Sequence, residues 1–227
     1  MYELGVVNTT IQRPHPDDVA ALSDYGTATI HEAMGRVGLM RPYMRPIYAG
    51  AKLCGPAVTV LLQPGDNWMM HVAAEQLHDG DVVVAACTTT SDAGFFGDLL
   101  ATSFRARGGV GLVIDGGVRD IADLQEMDFP VFAAAIHARG TVKETLGSVN
   151  IPVTVANALV NPGDVVVGDA DGVVVVPADR VAEVVEASRA REAKEATVRA
   201  RLAAGELGLD VYGMREKLEA TGLKYNE

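Results

Sequence analysis

The run Val82-Val83-Val84-Ala85-Ala86-Cys87 offers no polar residue to a solvated face. Side chains of a strand alternate between two faces, so an unbroken apolar run marks a strand covered on both. Further strands read from the chain at Lys52 to Leu62 (interrupted by Gly55-Pro56), Val110 to Ile114, Val131 to Ala135, Ile151 to Val160, Val165 to Gly168 and Val173 to Val176. Asp171-Gly172 is a tight hairpin signal between the last two. Helical spacing separates them. Residues 14–40 read as two helices broken at Gly26-Thr27. Asp66 or Asn67 caps a helix through Met70, Ala73, Ala74 and Leu77, and another covers 120–127. A long helix runs from Asp179 to Ala204 and a last short one from Tyr212 to Ala220. The order predicts an α/β sandwich of mixed sheets forming one domain over residues 1–227.

Composition narrows the partners. The chain has 227 residues, about one large domain. It carries 19 Lys and Arg against 30 Asp and Glu, a net charge of −11, which argues against nucleic acid or an anionic membrane as partner. Cys54 and Cys87 fit neither a disulfide framework nor a Cys-x-x-Cys metal site and read as buried thiols. Met1 to Leu4 show no leader signature and no apolar stretch approaches the ~20 residues of a membrane span. The expectation is a cytoplasmic protein acting on a small molecule.

Chemistry concentrates between Gly97 and Asp123. Gly97 precedes Asp98, an acidic residue suited to cap free helix N–H groups, and Leu99, Leu100, Ser103 and Phe104 continue at helical spacing. Gly108-Gly109 stop that helix. The strand Val110 to Ile114 follows, closed by an expected turn at Asp115-Gly116-Gly117, with Arg119 and Asp120 beyond it. Strand ends and helix starts are where α/β folds place ligand chemistry, so Asp98, Arg119 and Asp120 are expected to converge.

The spacing Asp98-(twenty residues)-Arg119-Asp120, with the glycine-rich strand between, resembles the motif of the class II pyruvate aldolases that act on 4-hydroxy-4-methyl-2-oxoglutarate and 4-carboxy-4-hydroxy-2-oxoadipate. That family shares its fold with the regulator of ribonuclease activity A. The resemblance extends through Thr141 to Ser148 and the tail Leu209 to Tyr225. It implies a swivelling β/β/α sandwich assembled as trimers or hexamers, with the helical extension about 179–227 contacting a neighbouring subunit. It implies Asp120 as the direct ligand of Mg²⁺ or Mn²⁺, and Arg119 as the group facing the reacting oxygens. Gly97, Asp98, Leu99, Leu100 and Arg119 would bind a 4-hydroxy-2-oxo acid, with Asp98 also holding a water on the metal. Glu195 would reach the metal's water shell from an adjacent subunit, giving shared active sites. Such enzymes end the meta-cleavage routes for protocatechuate and gallate, release pyruvate, and usually decarboxylate oxaloacetate as well.

Each residue has a plainer reading. Asp98 serves equally as a helix cap, Arg119-Asp120 as a surface ion pair, and Glu195 as one solvated charge in a mixed run. His71 and His78 share a helix face without a third ligand. His137 and Arg139 follow a strand end and are candidates for a pocket rim. Competing functions are an oxaloacetate decarboxylase with no aldolase role, a non-enzymatic ribonuclease regulator, and a Schiff-base aldolase using Lys52 or Lys143.

Overall fold

The computed structural model describes residues 4–226. In chain order the elements are α1 (Pro16–Leu22), α2 (Thr27–Ala33), β1 (Arg45–Pro46), β2 (Leu53–Leu62), α3 (Trp68–Ala74), β3 (Val82–Cys87), β4 (Gly94–Phe96), α4 (Asp98–Ala106), β5 (Gly111–Val118), α5 (Ile121–Glu126) and β6 (Val131–Ile136). They continue with β7 (Ser148–Val149), β8 (Val153–Val155), β9 (Ala158–Val160), β10 (Val165–Asp169), β11 (Gly172–Val176), α6 (Val181–Ala203), α7 (Gly208–Val211) and α8 (Arg215–Ala220).

Nine strands join one sheet in the order β1-β6-β5-β3-β2-β10-β11, with β4 beside β5 and β7 beside β2. Strands β2, β3, β5 and β6 run parallel, and β10 then pairs antiparallel with β2 and with β11. One face of the parallel half packs on α3, α4 and α5 through Val58, Val60, Val83, Leu112, Met70, Phe104 and Leu124. Its other face sends Leu61, Val84, Val113 and Phe132 against Val166, Val173 and Val175 of the antiparallel half and against the separate β8–β9 hairpin. The alternate residues Val165, Val167, Val174 and Val176 meet α1, α2 and the start of α6. The sheet therefore folds into two packed layers with helices outside each, the swivelling β/β/α core with a further helical layer, and the valine runs are unbroken because their strands are buried on both faces. Gly168 belongs to this packing, since a Cβ there would lie 2.8 Å from the Phe132 ring.

Three local expectations change. Asp115-Gly116-Gly117 is not a turn: β5 continues through it to Val118, with a register irregularity against β6 between Ile114 and Gly117. Its glycines serve close approach, because a Cβ on Gly117 would lie 2.1 Å from the Asp92 carbonyl. Ile151 to Val160 is a hairpin rather than one strand, turning at Ala156 and Asn157 with φ of 46° and 69°. The last helix begins at Arg215 rather than Tyr212, and a separate short helix, α7, precedes it and ends at Val211.

The N-terminal arm is pinned by charge. Arg13 donates from Nε and Nη2 to the Asp81 carboxylate at 2.8 and 2.6 Å, and the His78 N–H adds a third bond at 2.8 Å. The Asp81 side chain is 0% exposed and that of Arg13 21%. Arg13→Ala should therefore destabilise the fold by roughly 2–4 kcal/mol in urea unfolding, because it leaves a buried carboxylate without its counterion. A loss below about 1 kcal/mol would contradict this role.

Candidate active site

The site forms where the carboxyl ends of the parallel strands meet the start of α4. Extending β5 to Val118 carries Arg119 and Asp120 alongside β4, whose chain leads directly into Gly97 and α4. The Arg119 N–H donates to the Phe96 carbonyl at 2.9 Å, and the His137 N–H donates to the Val118 carbonyl at 2.9 Å. These bonds fix the three strand ends relative to one another.

One cleft at this junction is lined by Gly97, Asp98, Leu99, Leu100, Arg119 and Asp120. All the residues expected to converge from this stretch do so. Asp98 is the first residue of α4, and the N-cap before it, Gly97, brings no side chain to the free N–H groups. By helix geometry the N–H groups of Asp98, Leu99 and Leu100 have no intrahelical acceptor and form a donor group at the positive end of the helix dipole.

Asp120 adopts φ 57° and ψ 44°, the left-handed region that costs a non-glycine residue about 1–3 kcal/mol. It stands at the start of α5, yet its carboxylate caps no N–H there. Among the described residues its one ion-pair contact is with Arg119 Nε at 3.5 Å, with the side chains 33% and 45% exposed. A single long contact at that exposure is worth under about 1 kcal/mol, so the carboxylate keeps most of its acceptor capacity. Gly97 makes room for it, because a Cβ there would lie 2.1 Å from Asp120 Oδ2.

The donor set decides which metal could sit here. Among the described residues of this chain no group of three His, Cys, Asp or Glu is arranged as a closed zinc site would need. Mg²⁺ and Mn²⁺ chemistry asks for less, since Mg²⁺ is held by one or two carboxylates with waters and substrate oxygens completing the octahedron. Asp120, with Asp98 lining the same cleft, fits that requirement.

Sequence reasoning missed part of the lining. Asn67, His71 and Lys143 border the same cleft. The sequence offers Asn67 as a possible helix cap, His71 as half of a histidine pair and Lys143 as a Schiff-base candidate. The Asn67 side chain instead donates from Nδ2 to the Phe95 carbonyl at 2.9 Å, and its buried Oδ1 has no partner. Partial desolvation and the neighbouring Lys143 ammonium push His71 below the usual imidazole range. Lys52 lies in a different groove, beside Asp24, Tyr25 and Cys54. His137 turns to the Asp92 carbonyl, 3.2 Å from Nδ1, and does not line the cleft; nor does Arg139.

Glu195 lies elsewhere within this chain. It pairs with Arg191 at 2.9 Å on α6, and Arg191 also approaches Glu32 of α2 at 3.6 Å. Together with Leu202 and Tyr212, Glu195 lines a groove between α6 and α7.

Comparison with known proteins agrees with this architecture. Residues 27–175 match the RraA-like family, described as Aldolase/RraA. This chain belongs to the RraA-like family. A Halalkalibacterium halodurans protein provisionally named 4-hydroxy-4-methyl-2-oxoglutarate aldolase is 28% identical over 74% of this chain and 80% of its own length. A Burkholderia multivorans protein with the same provisional name is 34% identical over 63% of this chain and 87% of its own. The crystal structure of Streptomyces coelicolor RraAS2, described as an unusual member of the RNase ES inhibitor RraA family, superposes with a TM-score of 0.75 at 28% identity, covering 84% of this chain and 99% of that one. Among the described residues no helix is long and apolar enough to cross a membrane. Membership therefore supports an aldolase or an RraA-like role.

One carboxylate holds the Lys143 side of the cleft together. Asp66 accepts from the N–H groups of Glu144 and Thr145 at 2.7 Å each and of Trp68 at 2.8 Å, tying residues 142–145 to the start of α3. Burial would raise its pKa, but these donors outweigh it and hold the carboxyl below the ordinary range. A group with a lowered folded-state pKa adds stability above its unfolded value of 3.8, and loses it as pH falls through the folded one. Asp66→Asn should destabilise by about 1–3 kcal/mol at pH 7, and the gap should narrow in acid. Denaturation curves for both proteins at neutral and acid pH check this; a gap independent of pH would contradict it.

Proposed function

We propose that this chain is a divalent-metal-dependent lyase that cleaves 4-hydroxy-4-methyl-2-oxoglutarate or 4-carboxy-4-hydroxy-2-oxoadipate by a retro-aldol reaction. The observation that carries the reading is the meeting of Arg119, an under-used Asp120 carboxylate and the first amides of α4 in one cleft. The provisional names of the two bacterial relatives support the same substrate class.

In this reading the N–H groups of Asp98, Leu99 and Leu100 receive the C1 carboxylate of the 2-oxo acid. Asp120, with Mg²⁺ or Mn²⁺ bound, would supply the cleft with an electron sink for the C2 carbonyl. Asp98 takes the C4 hydroxyl proton through an intervening water. The C3–C4 bond then breaks, and its electron pair enters the C2–C3 bond as charge moves to the carbonyl oxygen. Arg119 donates to the C4 oxygen and offsets the enolate charge. Protonation at C3 gives pyruvate, while C4 leaves as the ketone of a second pyruvate or of oxaloacetate. Loss of CO₂ from oxaloacetate produces the same enolate, so decarboxylation is expected as a secondary activity.

Glu195 enters this scheme only from a neighbouring subunit. Leu99 at the cleft lip is 78% exposed, and Leu207, Tyr212 and Tyr225 of the C-terminal extension are 59%, 56% and 78% exposed. Uncovered apolar side chains at both places support assembly, as a trimer or hexamer.

The test is pyruvate release from both acids with Mg²⁺ and with EDTA. Turnover should require the metal, and Arg119→Ala should lower it by at least ~10²–10³-fold, the usual worth of a preorganised oxyanion donor. Arg119→Lys should rescue poorly, because an ammonium lacks the planar fork. Full turnover in EDTA with borohydride trapping of pyruvate would establish a Schiff-base route instead. Release from neither acid would leave the ribonuclease-regulator reading suggested by the likeness to RraAS2.

A further inference from the structure

Three glycines stand against the Arg119 side chain, and packing explains two of them. A Cβ on Gly94 would lie 2.6 Å from the His137 carbonyl and 3.3 Å from Arg119 Cδ, and one on Gly97 would lie 2.1 Å from Asp120 Oδ2. No larger residue fits either place. Gly140 is different. Apart from its chain neighbours, a Cβ there would meet only Arg119 Nη1 within 4 Å among the described residues, at 3.9 Å, an ordinary contact distance. Its backbone also lies outside the left-handed range that favours glycine. Neither close approach nor backbone conformation requires a glycine at position 140.

The backbone fixes where this glycine stands. The Arg139 carbonyl accepts from the Gly94 N–H at 2.8 Å, and the Val142 N–H donates to the Gly65 carbonyl at 2.9 Å. Gly94 and Lys143 both line the cleft, so residues 139–143 run along its rim from the Arg119 side to the Lys143 side, with Gly140 next to the guanidinium. Position 140 is exposed, and the Arg119 side chain is 45% exposed, so the space beside the guanidinium is open. A substrate C4 oxygen on Arg119 would lie about 2.8 Å from a guanidinium nitrogen. The other groups on C4 then fall one or two bonds further out, in the shell that a side chain on residue 140 would enter.

We propose that Gly140 is the specificity position that admits tertiary alcohols at C4, so that the leaving fragment can be a ketone as well as an aldehyde. This rests on the placement of the C4 oxygen at Arg119 given above. A tertiary C4 carries one more carbon than a secondary one, in place of a hydrogen, and the missing side chain leaves room for it. Gly140 touches no reacting atom and acts through the volume it leaves free. A branched side chain there narrows the cleft to substrates with a hydrogen on C4, whose cleavage yields an aldehyde.

Two acids that differ by one methyl group test it. 4-Hydroxy-4-methyl-2-oxoglutarate is a tertiary alcohol, and 4-hydroxy-2-oxoglutarate is the same molecule with hydrogen in place of the methyl. Pyruvate release is followed for both in Mg²⁺. Gly140→Val should lower kcat/KM for the methylated acid at least about tenfold and leave the other within about threefold, with a smaller effect from Gly140→Ala. Pyruvate has no C4, so titration calorimetry should find its affinity for Gly140→Val within about twofold of wild type. Equal losses on both acids, or weakened pyruvate binding, would mean that the new side chain displaces Arg119, and would overturn the proposal. No loss on either acid would overturn it too. The aldolase reading fails differently: the wild-type protein would then release pyruvate from neither acid, whereas failure of the proposal alone leaves wild-type cleavage intact and only the discrimination at position 140 missing.

Discussion

The carboxylate of Asp120 occupies the space that a side chain at position 97 would take. A Cβ on Gly97 would lie 2.1 Å from Asp120 Oδ2 and 3.3 Å from Arg119 Cγ, so both functional side chains depend on a glycine in the neighbouring strand-to-helix connection. That closeness is possible because β4 and β5 run side by side and end together. Asp120 is then turned by its left-handed backbone, a strain the fold maintains through the Leu124 N–H bond to the Asp120 carbonyl at 3.0 Å and the Arg119 N–H bond to Phe96 at 2.9 Å. The donor end of α4, the guanidinium and the carboxylate thus belong to one rigid junction of backbone rather than to flexible loops.

The Lys143 side of the cleft is assembled by a different device. Asp66 is 3% exposed and uses both carboxylate oxygens on backbone N–H groups, so it acts as a fastener for residues 142–145 rather than as chemistry. The cleft therefore has one wall set by strand ends and one set by a buried carboxylate, each presenting one basic side chain. A protein with a net charge of −11 can attract a small polyanion only through such local placement.

Much of this was legible in the sequence, for physical reasons that differ by region. The valine runs announced strands because burial on both faces removes polar residues from them. Asp98, Arg119 and Asp120 were legible as a convergent set because strand ends and helix starts are adjacent in α/β folds. Asp115-Gly116-Gly117 misled because glycine signals a turn and a close approach equally, and here it serves the approach of Phe95 and Asp92 to a continuing strand. The hairpin at Ala156-Asn157 carries no glycine, and an alanine at φ 46° gives no warning of a turn. Lys143 and Asn67 come to one cleft through the Asp66 hydrogen bonds and the backbone bonds of Val142 to Asn67 and Gly65, which no local pattern reveals. Glu195 pairs with Arg191 inside its own chain, so any part it takes at the cleft depends on a second subunit.

The central claim is that the Asp120 carboxylate, in the space kept by Gly97, is the cation ligand. The most direct measurement is Mn²⁺ binding followed by electron paramagnetic resonance for wild type and Gly97→Ala. Gly97 has φ −159°, a conformation alanine adopts without strain, so the substitution adds one methyl group against Asp120 and removes no polar atom. The account predicts an affinity loss of at least about tenfold, equivalent to ~1.4 kcal/mol, with the thermal midpoint little changed. Unaltered Mn²⁺ affinity in the folded Gly97→Ala protein would contradict it.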